Sequence, residues 1–469
     1  MKLKVPSHIH LMGICGTAMA SLAGLFKEMG HKVTGSDQNV YPPMSTQLEN
    51  LGIPIMEGYK KENLTPAPDL VVVGNVITRN HEEAVALMAS DIAYTSLPKA
   101  IGEFVIEDRN SIVISGTHGK TTTTSMMAWI AEKCNKKPGF LIGGIPGNFE
   151  NSFRVPEDQW FVIEGDEYDT AFFDKVPKFI HYRPKFVVVT SIEFDHADIY
   201  QDLEQIKEAF RSLVRLVPEE GLIVAHGDDP NVEEVLKECR CRVIRYGLRS
   251  GDYQAGPQEL LVGRNQFSVF HDGKNVGEIA IKSFGDHNTL NALAAFALAS
   301  ELGWDRRSIL QALAEFKGVK RRQEILGEPQ GIKVIEDFAH HPTAVSLTVS
   351  AIKKMTDGKL FAVFEPRSAT SRRRIFQKQY VEAFKGADEA LVMKPYDQSR
   401  ISDKERMSTE ELVQDIQKAG GRATAFISVD DIVKRLVSAA VTGDTILIMS
   451  NGSFDGIYKK LLSALEARS

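Results

Sequence analysis

At 469 residues the chain is too long for one ordinary core, and its length predicts about three domains. Apolar residues make up 43% and charged residues 25%, the composition of a soluble globular protein. A net charge of −6 without a long basic run argues against general nucleic-acid binding, and no run of about 18 apolar residues is present to insert in a membrane. The start, Met-Lys-Leu-Lys-Val-Pro-Ser, lacks the apolar centre of a signal peptide. The four cysteines (Cys15, Cys134, Cys239, Cys241) form no disulfide framework, so a reducing cytoplasm is expected. Cys239 and Cys241 are spaced C-x-C without the second pair that a zinc site needs.

The first segment alternates strand and helix signals. An apolar run at 9–12 leads into Gly13-Ile14-Cys15-Gly16-Thr17, then a helical stretch at 18–29, Gly30, and strands at 31–35 and 70–74. This predicts a Rossmann-like unit closing near Glu107-Asp108-Arg109-Asn110. A dinucleotide fingerprint would need glycine at Cys15, although Ala18 is acceptable at the third position. Asp37 ends the second strand, where a ribose-binding acid often stands. Two readings stay open here: a turn without ligand, or a nucleotide-sugar or diphosphate site.

The second segment opens with the strongest signal. After the apolar run 112–114 comes Ser115-Gly116-Thr117-His118-Gly119-Lys120-Thr121-Thr122-Thr123-Thr124, followed by a helical stretch at 125–132. Glycines let backbone N–H groups approach phosphate oxygens, and a helix N-terminus favours their charge. Lys120 is placed to reach a β- or γ-phosphate and Thr121 to ligate Mg²⁺. The loop is shorter than the general phosphate-loop pattern, because Ile114 stands where the first glycine would be. A nucleoside-triphosphate enzyme is expected. Strands are predicted at 160–163, 186–189 and 222–225, a helix at 203–216, antiparallel hairpins over 243–281, and an Ala/Leu-rich helix at 288–302.

Acids gather at the C-terminal ends of two of these strands, the side that faces the ligand crevice in open α/β sheets. Glu164, Asp166 and Glu167 follow one, and Glu193, Asp195, His196 and Asp198 follow the next. A carboxylate there can hold a metal beside phosphates, although surface acids after a strand are common. His287 and Asn291 have the chemistry to meet a base edge, while capping alone could explain Asp286 or Asn288. Arg321 and Arg322 stand between the second and third segments, where an arginine can reach a phosphate or serve a salt bridge.

The third segment has strand signals at 333–335, 360–364, 390–393 and 445–449, and reads as a second Rossmann-like unit. Asp337-Phe338-Ala339-His340-His341-Pro342 follows its first strand. Adjacent histidines point in different directions and lack ligand spacing, so no metal site is expected of this pair. Arg372-Arg373-Arg374 is read as a local anion site or a solvated face. Two rival readings are a nicotinamide-dependent oxidoreductase, against which Cys15 counts, and a nucleotide-gated switch without chemistry.

Taken together and in this order, these blocks resemble the Mur ligase family, ATP-dependent amide ligases of bacterial cell-wall precursors, along essentially the whole chain. The resemblance implies an α/β protein of three domains: a Rossmann-like UDP-sugar-binding domain (1–108), a central ATP-binding domain with a parallel sheet plus a small antiparallel sheet (109–322), and a C-terminal Rossmann-like domain for peptide binding and closure (323–469). It implies ATP contacts from Gly116, Thr117, His118, Gly119, Lys120, Thr121, Thr122, His287, Asn291, Arg322 and Asp337. Thr121, Glu164 and His196 would hold Mg²⁺. Lys120, His196, Glu164 and Arg322 would carry catalysis. Gly13, Gly16, Asp37, Asn75, Asn80, His340 and Arg367 would meet the sugar nucleotide and the peptide.

Within the family, Gly285-Asp286-His287-Asn288 and the Asp337–Thr343 block look like the branch that charges UDP-N-acetylmuramate with L-alanine. Val40-Tyr41-Pro42-Pro43-Met44-Ser45-Thr46, the run from Glu164 to Lys175, Phe364-Glu365-Pro366-Arg367-Ser368 and Met449-Ser450-Asn451-Gly452 look closer to the branch that attaches L-Ala-γ-D-Glu-meso-diaminopimelate. The alanine branch usually has glycine at the position of Cys15 and Ala-Asp-Glu-Ser at 165–168. The tripeptide branch is therefore expected, with the alanine branch as the alternative. Ala209-Phe210-Arg211 stands where several members carry a carbamylated lysine, so no carbamate is expected. The Asp-Asn-Pro-Arg motif of the diaminopimelate-adding members is missing, and Arg367 is the candidate clamp for a peptide carboxylate.

Overall fold

The computed structural model describes residues 4–40, 44–261 and 263–468; Tyr41, Pro42 and Pro43 of the segment singled out above lie outside them. Among the described residues the strands form three large sheets and one two-stranded hairpin.

The first sheet has five parallel strands in the spatial order Ile55–Glu57, Lys32–Asp37, His8–Met12, Leu70–Val73, Tyr94–Ser96. The order reverses beside His8–Met12, and the glycine turn 13–16 leaves that strand at its C-terminal end. Such a switch point opens a crevice for a ligand. The helix Thr17–Glu28 follows and buries eight consecutive residues from Met19 to Phe26.

The second sheet has a parallel core ordered Arg242–Gly247, Leu222–His226, Phe186–Val189, Asn110–Ser115, Trp160–Gly165, Gly139–Leu141. One expectation needs correction. The hairpin region was to begin near 243, yet Arg242–Gly247 pairs in parallel with Leu222–His226. The helix Pro230–Leu236 supplies the crossover that a parallel neighbour requires. Antiparallel pairing begins between Tyr253–Ala255 and Arg264–His271, and these strands continue the edge of the parallel sheet.

The helix after the phosphate loop spans Lys120–Lys133, starting earlier than the stretch 125–132. Four β-branched threonines disfavour a helix by propensity. Thr124 donates to the carbonyl of Lys120 at 2.8 Å and Ser125 to that of Thr121 at 2.7 Å, so these hydroxyls find partners inside the helix.

The third sheet is ordered Glu324–Gly327, Lys333–Asp337, Thr445–Met449, Leu360–Phe364, Glu389–Met393, Ala423–Phe426, parallel except for the first strand. Leu360–Phe364 is buried at every residue. Leu360, Ala362 and Phe364 pack into one core and Phe361 and Val363 into another, as a sheet covered by helices on both faces demands. Among the described residues no helix is long and apolar enough to cross a membrane.

Candidate active site

A cavity of about 630 Å³ opens where the three sheets meet, and all three contribute to its wall. Gly16 and Asn75 face it from the first unit. Thr117 to Thr122, Glu164, His196, His287 and Asn291 face it from the second, and Arg322, Asp337 and His340 from the hinge and the third. Gly13, Asp37, Asn80, Gly116 and Arg367 do not line it.

The phosphate loop is built by backbone geometry. Gly116 has φ +134° and Gly119 +82°, values that favour glycine. A Cβ at Gly119 would collide with Oδ1 of Asn291, which places Asn291 against the loop. The helix that follows has no side-chain cap at its N-terminus, so its first-turn N–H groups are open to an anion. Lys120 curls back over the loop: Nζ donates to the Gly116 carbonyl at 2.6 Å and to Glu167 Oε2 at 3.0 Å. Burial pulls the Lys120 pKa down, but Glu167 and Asp166 outweigh it and the ammonium is held above its ordinary range.

Thr121 donates from Oγ1 to Glu164 Oε2 at 3.0 Å, and Glu164 Oε1 takes the Gly143 N–H at 2.5 Å. Burial, helped by Asp166, raises the Glu164 carboxyl above the usual carboxylate range. A half-buried carboxylate with a raised pKa next to a hydroxyl is a pair of hard oxygen donors, and it fits Mg²⁺. The third expected ligand is not with them: His196 Nε2 lies 3.2 Å from Glu167 Oε1 instead. Burial lowers the His196 pKa, but the Glu167 hydrogen bond and charge, with Asp195, raise it overall.

One ring nitrogen at the cavity wall has no partner. His287 is half-buried, its enclosed Nδ1 has no hydrogen-bond partner, and its Nε2 sits 3.1 Å from Asn288 Nδ2 and 3.3 Å from Gln323 Nε2. Two amide donors at Nε2 assign the proton to Nδ1. Burial pushes the pKa down to about 4, which keeps the ring neutral.

From the hinge, Arg322 lies 3.5 Å from Thr121 Oγ1 and places its guanidinium 4.6 Å over the Phe338 ring. It therefore spans the second and third units. Arg321 points elsewhere, to Glu336 at 2.5 Å and to the carbonyls of Ser450 and Gly452. Asp337 accepts the amides of Gln323 at 2.9 Å and Ala339 at 2.7 Å, shaping the turn at the cavity wall.

Three expected positions lie apart from the cavity wall. Asp37 is buried and takes the Cys15 N–H at 2.9 Å, the Asn39 N–H at 3.0 Å and the Tyr59 hydroxyl at 3.3 Å, so it holds the glycine turn. Asn80 lies in an exposed turn. Arg367 stacks 3.9 Å over Tyr396 beside Glu365, away from the cavity. The two adjacent histidines go to different partners, His340 Nδ1 facing the Phe338 carbonyl at 3.0 Å. His341 meets His118 and Glu193, and atoms able to hold a metal lie within 4.8 Å of one another. His341 Nδ1 already takes the Thr343 N–H at 3.3 Å and its Nε2 faces the Phe194 carbonyl at 3.1 Å, so both its nitrogens are engaged.

Glu167 is the central residue that sequence reasoning passed over. It is 2% exposed and joins Lys120 to His196. Its only signal was membership in the acidic run 164–167. Lys178 is a second such residue, 3.0 Å from Asp166 and 4.1 Å over the Tyr168 ring. No motif marks it.

Comparison with known proteins agrees with the architecture. The profile of the Mur ligase family catalytic domain matches residues 8–109, that of the Mur ligase middle domain 114–299, and that of the Mur ligase glutamate ligase domain 321–452. The UDP-N-acetylmuramate–L-alanyl-gamma-D-glutamyl-meso-2,6-diaminoheptandioate ligase of Escherichia coli is 42% identical over 98% of this chain and 99% of its own. A UDP-N-acetylmuramate–L-alanine ligase of Clostridium botulinum is 34% identical over 96% of each. The crystal structure of a murein peptide ligase from Psychrobacter arcticus is 39% identical and superimposes with a TM-score of 0.73, covering 98% of this chain and 99% of that one. Three matched domains in one order, and identity of this level along nearly the full length, show that the chain belongs to the Mur ligase family.

Proposed function

We propose that this enzyme joins the lactyl carboxylate of UDP-N-acetylmuramate to the α-amine of L-Ala-γ-D-Glu-meso-diaminopimelate, with cleavage of ATP to ADP and phosphate. The observation that carries the choice of amine is the higher identity to the tripeptide ligase, 42% against 34% for the alanine ligase. Such a reaction returns a recycled wall peptide to a nucleotide precursor, and its nucleotide substrates place it in the cytoplasm. Residues 1–108 hold the UDP sugar, 109–322 bind ATP, and 323–469 bind the peptide and close the site.

The carboxylate attacks the γ-phosphorus of ATP, the bond to the β-phosphate oxygen breaks, and ADP leaves an acyl phosphate. The peptide amine then attacks the acyl carbon, and phosphate departs with the bonding pair. Phosphoryl transfer of this kind needs positioning and charge neutralisation more than covalent help. Lys120, the open helix N-terminus and Arg322 supply positive charge on three sides. Thr121 and Glu164 hold Mg²⁺, which when bound neutralises phosphate charge. The orphan Nδ1–H of His287 is a donor for an adenine ring nitrogen. His196 gives its Nε2–H to Glu167, which leaves Nδ1 as an acceptor for the amine proton. Docking of the third unit excludes the water that would hydrolyse the acyl phosphate.

The test is phosphate release from ATP with UDP-N-acetylmuramate and either L-alanine or the tripeptide, with mass spectrometry of the product. Turnover with the tripeptide alone supports the reading. Turnover with alanine alone moves the enzyme to the sister activity, and no turnover with either removes the assigned amines.

A further inference from the structure

The segment Glu193-Phe194-Asp195-His196-Ala197 follows the central strand Phe186–Val189 and carries His196 to the cavity wall. The third unit grips it at three successive residues. Thr343 donates from Oγ1 to Glu193 Oε2 at 2.6 Å, His341 Nε2 faces the Phe194 carbonyl at 3.1 Å, and Thr370 donates from Oγ1 to Asp195 Oδ1 at 2.8 Å. Thr343 and His341 lie at the start of the helix Pro342–Lys353. Thr370 comes from a separate loop beyond the strand Leu360–Phe364. Its link to Asp195 is well enclosed, the two residues being 4% and 6% exposed.

The same Asp195 oxygen accepts the His196 N–H at 2.7 Å. That residue has φ +53°, a left-handed conformation that residues with a side chain seldom keep without support from their surroundings. The next amide, of Ala197, points at Thr370 Oγ1 at 3.4 Å. On the far side, His196 Nε2 lies 3.2 Å from Glu167 Oε1, and Glu167 Oε2 lies 3.0 Å from Lys120 Nζ. A line of contacts thus runs Thr370, Asp195, His196, Glu167, Lys120. It enters from the third unit and ends in the phosphate loop.

We propose that Thr370 is a positioning residue: when the third unit docks, its hydroxyl engages Asp195 and holds His196 in the left-handed turn that sets the imidazole on Glu167. Thr370 does not line the cavity and acts through Asp195. The Lys120–Glu167–His196 array is then complete only in the docked state, which ties ATP turnover to closure. This role rests on the ligase reading above.

The experiment compares kcat and KM for the wild type, Thr370→Val, Thr370→Ser, Asp195→Ala and the Thr370→Val/Asp195→Ala double variant, with UDP-N-acetylmuramate and the peptide. Valine keeps the shape and removes the hydroxyl. Its kcat should fall about tenfold or more, as for a lost hydrogen bond to a carboxylate. KM for UDP-N-acetylmuramate should stay within about twofold, because that substrate sits on the first unit. Serine should restore most of kcat. The double variant should be no slower than Asp195→Ala alone, since both changes cut the same link. Wild-type kcat in Thr370→Val, no rescue by serine, or additive losses in the double variant would each overturn the proposal. If the valine variant does not fold, Thr370→Ala in the same cycle decides by the same criteria. Failure of the ligase reading is seen separately, as a wild type that releases no phosphate.

Discussion

Glu167→Gln is the sharpest probe of how the phosphate loop is held. Glu167 is 2% exposed, and its oxygens lie 3.0 and 3.3 Å from Lys120 Nζ and 3.2 Å from His196 Nε2. Burial opposes its charge, yet Lys120 and His196 outweigh burial and hold the carboxyl below its ordinary range. At 3.0 Å and an effective dielectric of about 20, the attraction to Lys120 is roughly 5–6 kcal/mol. Desolvation of both groups offsets part of this, and removing one partner of a buried pair typically destabilises by about 3–5 kcal/mol. Glutamine keeps an oxygen that can accept one hydrogen bond, so the expected loss is at the lower end, about 3 kcal/mol.

For a body the size of the first two units, which share one core, that corresponds to a melting temperature lower by about 4–6 °C. A triphosphate brings negative charge back to Lys120, so Mg-ATP should raise the melting temperature of the variant more than that of the wild type. Thermal denaturation of both proteins with and without Mg-ATP, near neutral pH, reads this directly. Turnover should also fall, because His196 loses its charged partner. An unchanged melting temperature without nucleotide, together with equal shifts on adding ATP, would refute the argument that Glu167 holds Lys120 in reserve.

Three further outcomes are expected. Gly24→Ala should destabilise the protein by about 1–3 kcal/mol in denaturant unfolding despite alanine's higher helix propensity, because a Cβ there would collide with the Phe153 ring; a stabilised variant would contradict that contact. His287, half-buried and with its pKa pushed from 6.5 down to about 4, is neutral in the fold, so below pH 6.5 the unfolded chain binds the extra proton. Its contribution is full above pH 6.5 and is lost as pH falls towards 4, up to about 3 kcal/mol, and His287→Asn should flatten that part of the stability profile. Chelation of divalent metal should stop phosphate release, and Thr121→Val should raise the Mg²⁺ concentration for half-maximal rate about tenfold or more; an unchanged requirement would remove Thr121 from the metal site.

The legible parts of this chain were those encoded locally. The helix Leu203–Leu216 matches its expectation at both ends, because a strong amphipathic period is bounded by Asp202, whose side chain caps Gln205 N at 3.0 Å, and by Pro218. The phosphate loop was legible because its function needs glycines, a lysine and a helix N-terminus in consecutive order. What escaped was set by partners far along the chain. Thr370 meets a residue 175 positions away, and nothing around it in the sequence marks the meeting. Asp37 sits where a ribose-binding acid would stand, but the Cys15 N–H of the glycine turn engages one of its oxygens and Asn39 and Tyr59 the other. Glu167 lies beyond the end of its strand at Gly165, so the two-residue alternation that singles out Glu164 no longer says where its side chain points.

The way the three units are joined also says which of them can move. One apolar core runs without a break from Ile9 and Phe26 of the first unit to Phe153 and Phe179 of the second. Ser21 and Ser152 hydrogen-bond across the same seam at 2.9 Å, and Ser96 donates to Asp174 at 2.9 Å. Separating these units would expose that core, which makes them a single body in practice. The third unit has its own two cores, and Phe194 of the second packs against one of them. Its other ties are mainly polar: Thr343, His341 and Thr370 to the 193–195 segment, and Arg322 over Phe338. Polar links lose little when water replaces each partner, so they suit a contact that forms and breaks each turnover. The connecting chain is suited to it as well. Gly318, Arg321 and Gln323 all have positive φ, so the linker turns sharply several times within six residues. The phosphate loop with Lys120 and Thr121 therefore belongs to the first body, while Asp337, His340 and the grip on Asp195 belong to the third unit.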